Sequence, residues 1–210
     1  PNTGGMGAYS PVPWLPENWE KEIKEKIVDP LLGQLEKEGI SYRGFLYCGL
    51  MLTDSGIKVI EFNVRLGDPE AQILLGNDSR DLIELCLSAL EQSEGYSPYH
   101  ANNSKAVGVV LTSPDYPYPK KEGLLREGGL EASHFKNSEE PYVFGASLHE
   151  EKGLFYPQKG RVMTVVGRDS SSFLLAKKQV DKKIEEIKSI WKDAYWRRDI
   201  ASKVIEEEKA

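Results

Sequence analysis

The sequence has little that would hold it together covalently. Two cysteines, Cys48 and Cys86, stand among 210 residues. Each has apolar neighbours, where a free thiol behaves as a small hydrophobe, and two isolated thiols make neither a metal-ligand spacing nor a secreted disulfide framework. No apolar run approaches the roughly 20 residues that a membrane-spanning helix needs, and no signal-peptide pattern opens the chain. Basic blocks are also missing. A formal net charge of -6 and a pI near 5.3 argue against a protein whose task is to grip a nucleic-acid backbone. The three histidines, His100, His134 and His149, lie far apart, and none has an acidic or cysteine partner at ligand spacing, so they read as surface or loop residues. There is no internal repeat, no low-complexity tract and no starting Met. The opening PNTGGMG is therefore expected to be the cut end of something longer.

What is present is enough for a core. Hydrophobic residues make up 40% of the chain, which at this length supports one large domain or two small ones. In NWEKEIKEKIVDPLLGQLEKEG, residues Trp19, Ile23, Ile27, Leu31 and Leu35 recur every four positions. This predicts an amphipathic helix, bent or interrupted at Pro30 and stopped at Gly39. GFLYCGLMLT and IKVIEFNVR read as two strands of a hairpin turned by Asp54, Ser55 and Gly56. NDSRDLIELCLSALEQ predicts a helix capped by Asp78 or Ser79, with Leu82, Leu85, Cys86 and Ala89 on one stripe. The loop SEGYSPYHANNS shifts to turn-formers, and a domain boundary is expected within it near residue 100. Beyond it, KAVGVVLTS, PYVFGASL and RVMTVVG read as strands, Ser171 to Trp191 as a long helix and Asp199 onward as a shorter one. YPYPKKEGLLREGGL is too rich in Pro and Gly for a long element.

Two stretches carry chemistry. In IEFNVRLGDPE, strand alternation puts Ile60, Phe62 and Val64 on one side and Glu61, Asn63 and Arg65 on the other. Glu61 and Asn63 are oxygen donors spaced to converge on one hard cation. Magnesium fits, because it takes one or two carboxylates from protein and fills its shell with water and substrate phosphates. Arg65 is placed to fork onto a phosphate or carboxylate oxygen. An ordinary solvated strand face is the competing reading, and the E-x-N-x-R pattern alone favours it. Asp68 and Glu70, set on a tight Gly67/Pro69 turn, shift the balance toward a ligand. The second stretch is PNTGGMGAYSP. Gly4, Gly5 and Gly7 allow close backbone approach or hinging, successive amides can cradle an anion, and Asn2 and Thr3 add hydrogen-bonding groups. Arg161, opening a strand after Gly160, reads equally as an active-cleft residue or an ordinary strand-end arginine.

Together PNTGGMGAYSP, GFLYCGLM and VIEFNVRLGDPEAQ resemble the signature segments of the glycinamide ribonucleotide synthetase (phosphoribosylamine–glycine ligase) family of the ATP-grasp superfamily. The LIELCLSAL helix continues the likeness, and GRVMTVVG and WRRDI extend it more loosely to the end of the chain. Departures fall in the last domain, where DYPYP, Gly145-Ala146-Ser147-Leu148 and Lys159-Gly160-Arg161 replace the family's usual residues.

The resemblance implies an α+β fold: the second half of an ATP-grasp fold, an antiparallel sheet with helices, in residues 1–100, and a small mixed α/β C-terminal domain in 101–210. It implies ATP-dependent ligation of glycine to 5-phosphoribosylamine through a glycyl phosphate, giving glycinamide ribonucleotide, ADP and phosphate. Glu61 and Asn63 would hold magnesium or manganese, and ATP would be the co-substrate. Arg65 and Asp68 would be catalytic. Asn2, Thr3, Gly4, Gly5, Gly7, Glu70 and Arg161 would bind substrate. The implied partners are the small-molecule substrates and the missing N-terminal half of the same protein, with no nucleic acid and no membrane, in the cytoplasm. The alternatives are another ATP-grasp carboxylate–amine ligase, or a non-catalytic half that serves as a binding module.

Overall fold

KAVGVVLT and RVMTVVGRD, two of the most apolar runs in the chain, lie side by side as antiparallel strands. The computed structural model describes residues 3–77, 82–91, 104–118, 128–135 and 140–209. In chain order its elements are strand β1 (Gly7–Ser10), helix α1 (Trp19–Ile23), a π-helical turn (Lys24–Val28), α2 (Asp29–Lys37), β2 (Tyr47–Thr53), β3 (Gly56–Asn63), α3 (Glu70–Asn77), α4 (Leu82–Glu91), β4 (Lys105–Thr112), β5 (Leu130–Glu131), a 3-10 turn (Ala132–Phe135), β6 (Tyr142–Gly145), β7 (Leu148–Glu151), β8 (Leu154–Pro157), β9 (Arg161–Asp169), α5 (Phe173–Ile190) and α6 (Ser202–Lys209). The fold is α+β, with antiparallel strand pairing throughout the described sheets. It divides into two compact units. The first comprises Pro1–Pro11, Asp68–Asp78 and Ala101–Ala210, and the second Val12–Gly67 and Ser79–His100. The boundary expected near residue 100 lies outside the described residues.

The first unit is built on a four-stranded sheet of order β1-β4-β9-β6. Its central strands are apolar on both sides because both faces are covered. On one face α5 lays down Phe173, Ala176, Val180, Ile184 and Ile187, a helical stripe that is buried throughout. Tyr9 of β1 meets the ring of Phe173 edge-on, with centroids 5.8 Å apart. On the other face Ile73 of α3 packs with Ala106 and Val166, joined by Ala8 and Phe144. Gly108 is what lets α3 approach, since a Cβ there would sit 2.8 Å from Ile73 Cδ1.

The pairing of β1 with β4 joins two segments about a hundred residues apart in the chain. Gly7 stands opposite Val109 and Ser10 opposite Ala106, so the end of the glycine-rich opening is an edge strand of this sheet. PYVFGASL, expected as one strand, is instead divided. β6 ends at Gly145, and the chain turns through Ala146 and Ser147 into β7, which pairs with β8 in a separate three-stranded sheet. Ser172 caps α5, and its side chain accepts from the amide of Leu175. Glu208 of α6 reinforces that end, accepting from Ser172 Oγ at 2.9 Å, from the amides of Phe173 and Leu174, and from Lys105 Nζ.

The second unit contains α1, α2, the β2–β3 hairpin and α4. The predicted helix is interrupted ahead of Pro30 rather than at it, by the π-helical turn at Lys24–Val28, and Pro30 is taken into the first turn of α2, where its missing amide hydrogen costs little; Gly39 follows the helix end at φ +75°. The hairpin turns where expected, with Thr53 facing Gly56. The expected caps Asp78 and Ser79 lie outside the described residues. Among the described residues, no apolar side chain of this unit is fully buried, and Ile60 and Val64 are 62% and 76% exposed. No helix among the described residues is long and apolar enough to cross a membrane.

Candidate active site

The polar face of β3 begins at a β-bulge. Leu50 pairs with Val59 and Gly49 with Glu61, which leaves Ile60 as the extra residue. Bulges of this kind re-aim the side chains that follow. Here they bring Glu61 and Asn63 together, with Asn63 Nδ2 donating to Glu61 Oε1 at 3.1 Å. Gly49 makes room opposite, since a Cβ there would lie 3.0 Å from Glu61 Cγ. Arg65 follows the strand end, exposed, with Nη1 donating to the carbonyl of Leu66 at 2.9 Å. Among the described residues no three His, Cys, Asp or Glu side chains gather as a closed metal cage. The Glu61–Asn63 pair suits a different kind of ion: one hard cation on two protein oxygens, once the Asn63 amide turns its carbonyl end outward, with water and phosphate completing the shell. Cys48 lies in β2 opposite Phe62. Burial pushes its thiol up, which disfavours the thiolate that nucleophilic chemistry would need.

The remaining predicted residues belong to the first unit. Asp68 is held on three sides: Gln72 Nε2 donates to its Oδ1 at 3.0 Å, Arg161 Nη2 lies 3.0 Å from its Oδ2, and Arg161 Nη1 donates to its main-chain carbonyl at 2.6 Å. Gly5 lies against the same guanidinium. It has φ +73°, and a Cβ on it would stand 2.2 Å from Arg161 Nη1 and 3.1 Å from the Asp68 carbonyl oxygen. Only glycine meets both demands. Gly7 is equally constrained, with the Gly108 carbonyl 2.7 Å from where its Cβ would be, whereas Gly4 has open space. Thr3 is half-buried, and Glu70 opens α3. Asn2 lies outside the described residues, as does His100. His134 accompanies the 3-10 turn, with Nδ1 3.1 Å from the carbonyl of Glu131, and His149 is exposed on β7. Neither joins the residues above.

The structure therefore gathers Gly5, Asp68 and Arg161 in the first unit and pairs Glu61 with Asn63 in the second. Sequence reasoning did not single out Ser113 and Gln72. The available signals were a hydroxyl pair closing an otherwise apolar strand, and a glutamine one turn after Asp68.

Two family models match the chain. The ATP-grasp (A) domain of phosphoribosylglycinamide synthetase matches residues 1–71, and the C domain of the same enzyme matches residues 106–203. The chain belongs to the phosphoribosylglycinamide synthetase family. Phosphoribosylamine–glycine ligase of Caldanaerobacter subterraneus is 37% identical over 202 residues, covering 96% of this chain and 46% of that protein. The Allochromatium vinosum ligase is 37% identical over 211 residues, covering all of this chain and 48% of its own length. The trifunctional purine biosynthetic protein adenosine-3 of Gallus gallus is 37% identical over 98% of this chain and 20% of its own length. The crystal structure of the Thermotoga maritima ligase superposes with a TM-score of 0.72 at 31% identity, covering 94% of this chain and 45% of that one. The chain spans about half the length of the single-function ligases it matches. Within the family frame, Glu61, Asn63, Arg65, Asp68 and Glu70 all fall inside the A-domain match, and Arg161 falls inside the C-domain match.

Proposed function

We propose that this chain is the metal-bearing half of a phosphoribosylamine–glycine ligase. The reaction that family membership supports joins glycine to 5-phosphoribosylamine at the expense of ATP. The γ-phosphoryl group passes to the glycine carboxylate, giving glycyl phosphate and ADP. The amine nitrogen then attacks the acyl carbon, phosphate leaves, a proton is lost, and glycinamide ribonucleotide results. The observation that carries this reading is the convergence of Glu61 and Asn63 on one side of β3, within the segment matched by the A-domain model.

The roles follow from charge. Glu61 and Asn63 hold magnesium or manganese, which neutralises the phosphate oxygens when bound. Arg65 steadies the transferring phosphoryl group, as positioning and charge neutralisation dominate such transfers. Asp68 and Glu70 orient the amine. Asp68 can do so because each carboxylate oxygen keeps a lone pair beyond its bonds to Gln72 and Arg161. Asn2, Thr3, Gly4, Gly5 and Gly7 offer main-chain and side-chain donors to substrate oxygens, and Arg161 adds positive charge beside them. In family terms residues 1–100 complete the ATP-grasp domain and 101–210 form the C-terminal domain. The enzyme works in the cytoplasm on small molecules, and the upstream half of the same protein supplies the rest of the cleft. The uncovered Ile60 and Val64 support that need for a partner segment.

The test mixes the purified chain with the separately expressed first half of a phosphoribosylamine–glycine ligase, ATP, magnesium, glycine and freshly generated phosphoribosylamine. Glycinamide ribonucleotide is expected from the mixture and from neither half alone. No product from any mixture, or product from this chain alone, contradicts the reading.

A further inference from the structure

β4 ends in Thr112, and Ser113 follows it; both hydroxyl residues are fully buried, where apolar side chains are the rule. Thr112 has a local use: its main chain exchanges bonds with Tyr195 at 2.8 and 3.0 Å, and its Oγ1 donates to the Ser113 carbonyl at 3.1 Å. Ser113 acts on another segment. Its amide donates to the Gly160 carbonyl at 2.9 Å, and its Oγ accepts from the Gly160 amide at 3.0 Å. Both main-chain polar groups of Gly160 are thus satisfied by one buried residue. Gly160 has φ +89°, and the β4–β9 register slips just before Thr112, which brings Thr112 opposite Arg161. The next side chain in the sequence is the guanidinium that holds the Asp68 turn and underlies Gly5.

We propose that Ser113 is a positioning residue: by locking Gly160 it aims Arg161, and Arg161 in turn fixes the glycine loop against the Asp68 turn. Three segments remote in sequence meet at one guanidinium, and this serine sets its direction. The fork matters as much as the charge, because two different nitrogens serve the carbonyl and the carboxylate of one residue, which a lysine cannot reproduce. The loop's conformation as a ligand cradle is thereby set from the C-terminal sheet. The structural part of the proposal stands apart from the proposed function; only its consequence for turnover rests on that reading.

Hydrogen exchange on the 210-residue chain tests it without any activity. Ser113→Ala removes the acceptor, and exchange of the amides in residues 3–6 is expected to quicken by about tenfold or more, while the β9 amides of residues 163–166 keep parental rates. Arg161→Lys should quicken the same loop amides, and the double variant should go little beyond Arg161→Lys alone, since both act along one route. Parental loop exchange in either single variant, additive acceleration in the double variant, or acceleration spread through 163–166 overturns the proposal. In the reconstituted mixture, Ser113→Ala should lower kcat and leave KM for glycine within about twofold of the parent. A raised KM at parental kcat contradicts the positioning role. If the parental mixture makes no product, the proposed function fails while the exchange result still decides the clasp.

Discussion

Arg161 grips Asp68 at two points, with Nη1 at 2.6 Å from its main-chain carbonyl and Nη2 at 3.0 Å from its carboxylate, across 93 positions of sequence. Such an arrangement ties the turn that opens α3 to the start of β9, within the first unit, through backbone as well as side chain. It also predicts an order of effects. Asp68→Asn keeps the carbonyl contact, and because the two side chains are 32% and 46% exposed, it should cost less than about 1 kcal/mol. Gly5→Ala meets both a positive φ and the guanidinium, and should cost more, about 1–2 kcal/mol. Urea unfolding of the two variants measures both values, and the reverse order would contradict the clasp geometry.

Glu208 predicts a pH dependence. Burial pushes its carboxyl up, but hydrogen bonds from Lys105, Ser172 and the amides of Phe173 and Leu174 outweigh this and hold it at about 2, below the ordinary 4.5. A depressed folded pKa gives stability that is complete above the unfolded value and lost as pH falls through the folded one. The fold should therefore weaken between about pH 4.5 and 2. Glu208→Gln should remove part of that slope and cost about 1 kcal/mol at neutral pH, as for loss of a helix-end anchor. Denaturant midpoints across that pH range check it.

Gly108 predicts a packing conflict. A methyl there meets Ile73 Cδ1 at 2.8 Å, so Gly108→Ala should destabilise by about 1–3 kcal/mol through overpacking. Ile73→Val in the same chain should recover part of the loss, a coupling that a double-mutant cycle by thermal unfolding would reveal.

Turnover should depend on the polar face of β3. In the reconstituted enzyme, Glu61→Gln should lower kcat roughly a hundredfold or more, with the requirement for magnesium shifted upward. Arg65→Lys should also lose most activity because the fork is lost although the charge remains. Near-parental rates in both variants would return this face to a solvated strand.

The hairpin and its polar face were legible because alternation and the Asp54-Ser55-Gly56 turn are local signals. The bulge at Ile60 was not, since it arises from the register with β2 and leaves no mark on a single strand. β1 was read as loop: its pairing partner β4 lies about a hundred residues away, and the four residues of β1 are flanked by Gly4 and Gly5 on one side and Pro11 and Pro13 on the other. α3 escaped notice because Glu70–Asn77 is short and starts directly after a Gly-Asp-Pro turn. At the candidate site, alternation put Glu61, Asn63 and Arg65 on one face, but it took Asp68, Glu70 and the family resemblance to single them out from a solvated strand. The contact of Arg161 with Asp68 and Gly5 could not be read, because it depends on how a distant strand end is aimed by Ser113.

The central claim, that this chain completes a ligase working through glycyl phosphate, is tested most directly by oxygen transfer. Glycine labelled with oxygen-18 in its carboxylate is given to the reconstituted mixture, and the released phosphate is examined by mass spectrometry. The account predicts one labelled oxygen in phosphate for each glycinamide ribonucleotide formed, the other remaining in the amide. Product accompanied by unlabelled phosphate, or labelled phosphate that does not depend on this chain, would contradict it.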